Sequence, residues 1–127
     1  MDIEIKSPVN IRLDVIEIDD HIPSIKFNIL IKVEKFGYNL DVNSQIWIEC
    51  QCFDRFIDGM RNETIALLKD INGSFELVVN PIQGWLEWLC KKEDLDGYIT
   101  LAKGRERLTN ESKCILYEVF NDYPKWW

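Results

Sequence analysis

The chain has 127 residues, of which 46% are hydrophobic, and it carries a net charge of −7 at pH 7. This length predicts one domain, residues 1–127, with a true hydrophobic core, and the hydrophobic content excludes a disordered chain. The negative charge argues against nucleic acid and anionic membranes as partners, because both attract clustered Lys and Arg.

The four cysteines follow neither a zinc pattern nor that of a secreted disulfide protein. They are Cys50, Cys52, Cys90 and Cys114. Zinc ligands are usually separated by at least two residues, and only one residue separates the first two cysteines. The start of the chain is acidic and lacks the apolar segment of a signal peptide. We therefore expect reduced thiols in the cytoplasm, with no metal and no other cofactor.

Apolar residues alternate with period two through most of the first third of the chain. Runs at 11–18, 25–33 and 38–42 predict three strands, and a short strand at 3–5 precedes them. A change of phase near Ile16 indicates a bulge in the first of the three. We expect these three strands to pair as an antiparallel meander.

The next segment, Ile46 to Met60, has a different period. Its apolar residues follow each other at steps of four and three, which is the spacing of one face of a helix. The pattern predicts one principal α-helix at about 44–60. Asn43 or Ser44 is the expected cap, because either side chain can accept a hydrogen bond from the first turn.

A hairpin is predicted after the helix. Apolar runs at 65–68 and 75–79 are separated by Asn72-Gly73, and this dipeptide is typical of a tight turn between two strands.

The region from Gly84 to Cys90 allows two structures. It could be a strand, or it could be a helix opened by Pro81. We favour the strand, because the turn at Asp94–Gly97 joins it naturally to an apolar run at Tyr98–Ala102.

The end of the chain is predicted to contain a charged loop at Gly104–Asn110 and a final strand at Cys114–Phe120, apolar on both faces. All segments together predict an α+β fold, with a mainly antiparallel sheet of seven or eight strands and one helix packed on it.

No catalytic signature is visible. His21 is the only histidine, and it follows two aspartates in a predicted turn. The run from Asp94 to Gly97 is similar to the middle of an EF-hand loop, but Lys92 and Lys103 occupy the first and twelfth ligand positions, where a cation repels calcium. We expect no catalytic residues and no metal site. A small hydrolase that uses two of the many carboxylates is the alternative if this is an enzyme.

The aromatic residues point to a binding function. Five tryptophans are many for this length, and surface tryptophan beside carboxylates suits a basic protein partner. The predicted partner-binding residues are Trp85, Glu87, Trp88, Glu93, Asp94 and Asp96. A further hypothesis is a homodimer that forms through an exposed edge at Cys114–Phe120 or at the tryptophan-rich run.

The order of strands, one helix, a hairpin and further strands resembles the WapI-type immunity proteins of bacterial toxin systems. The local similarity lies in the helix at Ile46–Met60 and in the segment Ala66–Leu77, with its Ala-Leu pair, tight turn and Phe-x-Leu strand. The resemblance implies a small cytoplasmic protein that neutralises a cognate toxin by binding it, and it assigns no individual functional residue.

Overall fold

The structure, a computed structural model, describes residues 2–127 and has an α+β architecture, as predicted. Two antiparallel four-stranded sheets and two helices form this part of the chain. The first sheet has the spatial order β1 (Ile3–Ile5), β2 (Asn10–Asp19), β3 (Ser24–Lys35), β4 (Tyr38–Glu49). The second sheet has the order β5 (Ala66–Lys69), β6 (Phe75–Asn80), β7 (Trp85–Glu93), β8 (Ile99–Arg107). Helix α1 (Cys50–Arg61) follows the first sheet, and helix α2 (Asn110–Asn121) follows the second.

The predicted meander is confirmed in the first sheet, where β3 pairs with β2 on one side and with β4 on the other. Alternate residues of β3, including Phe27 and Ile29, are fully buried, and their neighbours in sequence project from the opposite face. The register between β2 and β3 shifts between Val15 and Glu17, which confirms the bulge.

Helix α1 begins at Cys50, so the predicted start at about 44 and the caps at Asn43 and Ser44 are wrong. The reason is that β4 continues to Glu49. Ile46 belongs to the buried alternation of that strand and matches the helical spacing by coincidence. The buried face of the helix consists of Cys50, Phe53, Phe56, Ile57 and Met60.

The region that allowed a strand or a helix is strand β7, which pairs with β6 and β8. The charged loop expected at 104–110 is wrong in its first half, because β8 continues to Arg107. Gly104 lies opposite Trp88 in this pair, and the indole ring of Trp88 packs over the glycine.

The strand predicted at Cys114–Phe120 is also wrong, because this segment is helix α2. Thr109 caps the helix: its Oγ1 accepts the Ser112 N–H at 3.1 Å, and Ser112 Oγ accepts the Thr109 N–H at 2.9 Å. Ser112, Leu116 and Phe120 are buried at steps of four, on one face of the helix. Neither of the two helices of residues 2–127 is long and apolar enough to cross a membrane.

Phe53 of α1 joins the sheet, the second helix and the end of the chain. Its ring stacks on Phe27 of β3 at a centroid distance of 6.4 Å and contacts Phe120 of α2 at 5.5 Å. Tyr123 and Trp127 pack on it at 5.6 and 5.9 Å. Such aromatic contacts fix the last residues of the chain against the core.

Candidate binding surfaces

The predicted partner-binding residues lie on β7 and in the turn after it, but the fold separates them. Trp85, Glu87 and Glu93 project from the face of the second sheet that is turned away from the core, which we call the outer face. Trp88 projects from the opposite face and is 1% exposed. Its ring therefore cannot contact a partner in this structure.

Asp94 and Asp96 are exposed in the turn that joins β7 to β8. The Asp94 Oδ1 atom accepts the N–H groups of Asp96 and Tyr98, both at 2.9 Å. A side-chain carboxylate that accepts backbone N–H groups a few residues on is an ordinary way to stabilise a turn. Residues 2–127 contain no group of three or more His, Cys, Asp or Glu side chains arranged to hold a metal ion.

The charges of the outer face do not match the acidic patch that the sequence predicts there. The Arg105 guanidinium lies 4.4 Å above the half-buried Trp85 ring and 3.6 Å from the Glu87 carboxylate. The strand register brings more basic than acidic residues onto this face. The basic residues are Lys69, Lys91, Lys103, Arg105 and Arg107, and the carboxylates are Glu76, Glu87 and Glu93. The formal charge of this face is therefore positive.

Carboxylates outside the ion pairs of residues 2–127 occur at the ends of two hairpins: Glu93, Asp94 and Asp96 lie at the β7–β8 turn, and a second group lies at the end of the β2–β3 hairpin. We call residues 16–22, with the sequence Ile-Glu-Ile-Asp-Asp-His-Ile, the acidic hairpin end. Ile16 and Ile18 are each 47% exposed, and Ile22 is 66% exposed. Lys26 lies opposite Glu17, but none of the ion pairs within residues 2–127 involves either residue. The hairpin end thus combines exposed apolar surface with unneutralised negative charge.

A bulge and two hydrogen bonds define the geometry of the hairpin end. The register shift at Ile16 inserts an extra residue into β2, so that Ile18 lies opposite the buried Ile25 while it remains 47% exposed. Asp19 Oδ1 accepts the His21 N–H at 2.9 Å and stabilises the turn. The Pro23 C=O accepts the Cys50 N–H at 2.8 Å, which ties the hairpin to the start of α1.

A cavity of about 530 Å³ lies between β4 and the second sheet. Its lining includes Val42 of β4 and Cys90 of β7. Burial raises the pKa of the Cys90 thiol to about 12, and the charge of Asp70 adds to the increase. The thiol therefore stays protonated at neutral pH and is a poor nucleophile.

Two carboxylates of α1, which could in principle serve a hydrolase, are engaged in ion pairs. The Asp54 carboxylate lies 2.7 Å from Lys125 Nζ and accepts the Trp127 Nε1–H at 2.9 Å. Asp58 lies 2.7 Å from a guanidinium nitrogen of Arg61, one turn further along the same helix. These carboxylates hold the end of the chain and the surface of α1 rather than facing each other across a cleft.

Neither edge expected to form a homodimer is an edge in this fold. Residues 114–120 belong to a helix, and the tryptophan-rich strand β7 lies between β6 and β8. Self-pairing of strands requires an open edge, and neither segment provides one in this fold.

Comparison of the chain with protein-family models, with curated protein sequences and with solved structures finds no match. The similarity to WapI-type immunity proteins therefore stays a prediction from the sequence.

Proposed function

We propose that the chain is a non-enzymatic binding protein that recognises a basic protein partner through the acidic hairpin end. The partner that we propose is a bacterial toxin domain, neutralised by direct binding, as the resemblance to immunity proteins implies. The observation that carries the proposal is the occurrence of three exposed isoleucines and three carboxylates within seven consecutive residues.

The two kinds of side chain would contribute differently to such a complex. Burying an exposed isoleucine against a partner contributes roughly 1.5–3 kcal/mol when burial is complete, so Ile16, Ile18 and Ile22 would supply much of the affinity. Glu17 and Asp20 would mainly accelerate association with a positively charged surface, with an effect that decreases as salt rises. Exposed apolar groups surrounded by polar residues are a common mark of an interaction site.

The cytoplasm is the location that we propose for this function. All four cysteines are free. Reduced thiols are the rule in cytosolic proteins, where an immunity protein would meet a toxin that has entered or been made in the cell.

A charge-reversal experiment tests the proposal. The Glu17→Lys/Asp20→Lys variant should associate more slowly with basic toxin domains encoded by neighbouring genes, and its association rate should depend less on salt. The matched control is Glu93→Lys/Asp96→Lys, which reverses two exposed carboxylates at the other hairpin. The measurement is the association rate constant at low and high salt.

Equal rates for the two charge-reversed variants would refute the assignment of the site, and failure of the wild-type chain to bind any basic domain would refute the proposed partner. An Ile18→Ser variant supplies an independent arm, because losing apolar contact should raise the dissociation rate with little change in association.

A further inference from the structure

Two hydrogen bonds show which backbone groups of β4 point toward β3 and which point toward the free edge of the strand. The Cys50 N–H, directly after the strand, donates to the Pro23 C=O on the β3 side at 2.8 Å. The Trp47 C=O accepts the Ile71 N–H at 2.8 Å on the opposite side. Because residues of an antiparallel strand alternate between the two sides, odd-numbered residues of β4 point away from β3. Those residues next to the cavity are Asp41, Asn43 and Gln45.

These backbone groups lack partners. Within residues 2–127, β4 pairs only with β3, and none of the other backbone hydrogen bonds reaches Asp41, Asn43 or Gln45. A row of unpaired N–H and C=O groups is a template for another strand. The loop that contains Ile71 covers the edge only as far as Trp47.

A groove runs beside this edge. Its first part is the cavity of about 530 Å³, and an adjoining cavity of about 280 Å³ shares four of the lining residues. The shared residues are Ser44, Gln45, Lys91 and Lys92. Val42 and Ala102 are half-buried on its surface and Cys90 is buried, so part of the lining is apolar.

A segment bound at this edge would lie between two walls. The free edge of β4 forms one wall, and β7 and β8 form the other. One added strand lies about 4.8 Å from its neighbour, and five extended residues span roughly 17 Å. The lining includes Lys91, Lys92, Asp41 and Glu93. Of these, Lys92 shares a face of β7 with Cys90, whereas Lys91 and Glu93 project from the outer face. None of the ion pairs within residues 2–127 involves Lys92, so this part of the groove suits a carboxylate.

We propose that the free edge of β4 binds an extended peptide of a partner protein, as a fifth strand added to the first sheet. An apolar side chain of the peptide would lie over Val42, Cys90 and Ala102, and a carboxylate would lie toward Lys92. This site is separate from the acidic hairpin end, and neither proposal depends on the other.

The test uses short peptides selected on the full chain from a random display library. Amide hydrogen exchange should show that a selected peptide protects the N–H groups of Asn43 and Gln45. The Asn43→Pro variant removes one outward N–H without removing a β3–β4 hydrogen bond, and proline is tolerated at such edge positions. It should weaken binding about tenfold, whereas Asn43→Ala, which keeps the N–H, should bind within about twofold of the wild type.

Three results would overturn the proposal: no selected peptide, protection of amides elsewhere, or equal binding by the proline and alanine variants. If circular dichroism shows that Asn43→Pro does not fold, the Lys92→Glu variant replaces it, and weaker binding of carboxylate-bearing peptides is then required. Sedimentation tests a second copy of the chain as the occupant. If the wild type and the Asn43→Ala variant are dimers and the Asn43→Pro variant is a monomer, the edge binds a second copy, and this result would also overturn the proposal.

Discussion

Replacing Gly104 with alanine tests whether Trp88 is a core residue rather than a contact residue. A Cβ atom at Gly104 would lie 2.5 Å from Trp88 Nε1, 2.8 Å from Cε2 and 3.0 Å from Cζ2. These distances are well inside van der Waals contact, so the ring or the strand must move. Trp88 is 1% exposed and has little space to move into.

The size of the effect follows from two opposing contributions. Overpacking a core costs about 1–3 kcal/mol. The lower backbone entropy of alanine in the unfolded chain offsets roughly 0.4–1 kcal/mol of this cost. We therefore expect Gly104→Ala to lower the free energy of unfolding by about 1–2 kcal/mol, measured by urea denaturation.

The Trp88→Phe variant is the control, because the smaller ring lacks the atoms nearest to the added methyl group. Trp88 Nε1 has no hydrogen-bond partner within the described residues, so the substitution by phenylalanine removes no hydrogen bond. In the Trp88→Phe background, Gly104→Ala should cost much less than in the wild type. An equal cost in both backgrounds, or no cost in either, would refute the close packing of this pair.

Four further predictions concern stability and thiol chemistry. Asp70→Ala should lose about 2 kcal/mol in urea denaturation, because the buried carboxylate accepts two hydrogen bonds within the β5–β6 turn, and an unchanged midpoint would contradict this. Trp127→Ala should lower Tm clearly and Trp126→Ala only slightly, because Trp127 packs on Phe53 whereas Trp126 is 38% exposed; equal losses would contradict docking of the chain end. Cys90 should react with a thiol reagent much more slowly than the exposed Cys114, which mass spectrometry of the labelled chain measures. Since the pKa of Cys90 is near 9 when unfolded and about 12 when folded, its contribution to stability is lost as pH rises through this range, and Cys90→Ala should show a smaller loss.

Strands with clean alternation could be predicted from the sequence, and segments with two compatible periods could not. The alternation around Phe27 and the Asn72-Gly73 pair indicated a strand and a hairpin, and the fold has both, although the hairpin loop covers residues 70–74 and is longer than a tight turn. As a strand, the run Cys114–Phe120 would be apolar on both faces. In the structure it belongs to α2, whose buried residues Ser112, Leu116 and Phe120 are spaced four apart. The Thr109 cap was the sequence signal that could have identified this helix.

The candidate sites depend on cross-strand neighbours, which one sequence without a register does not supply. Glu87 contributes to an acidic surface in the sequence, but the fold places Arg105 directly opposite. The sequence alone does not show whether Trp88 lies in the core or on the surface. The fold places Gly104 against its ring, which leaves room for the indole in the core. The acidic hairpin end, in contrast, is one continuous segment whose charge is visible in the sequence. Only the structure shows how far its isoleucines are exposed.

The most direct test of the central claim is an NMR titration of the chain with a basic toxin domain encoded by a neighbouring gene. The largest amide shift changes should fall within residues 16–22, and they should decrease as salt rises. Changes confined to the outer face of the second sheet, or no changes with any basic domain, would contradict recognition through the acidic hairpin end.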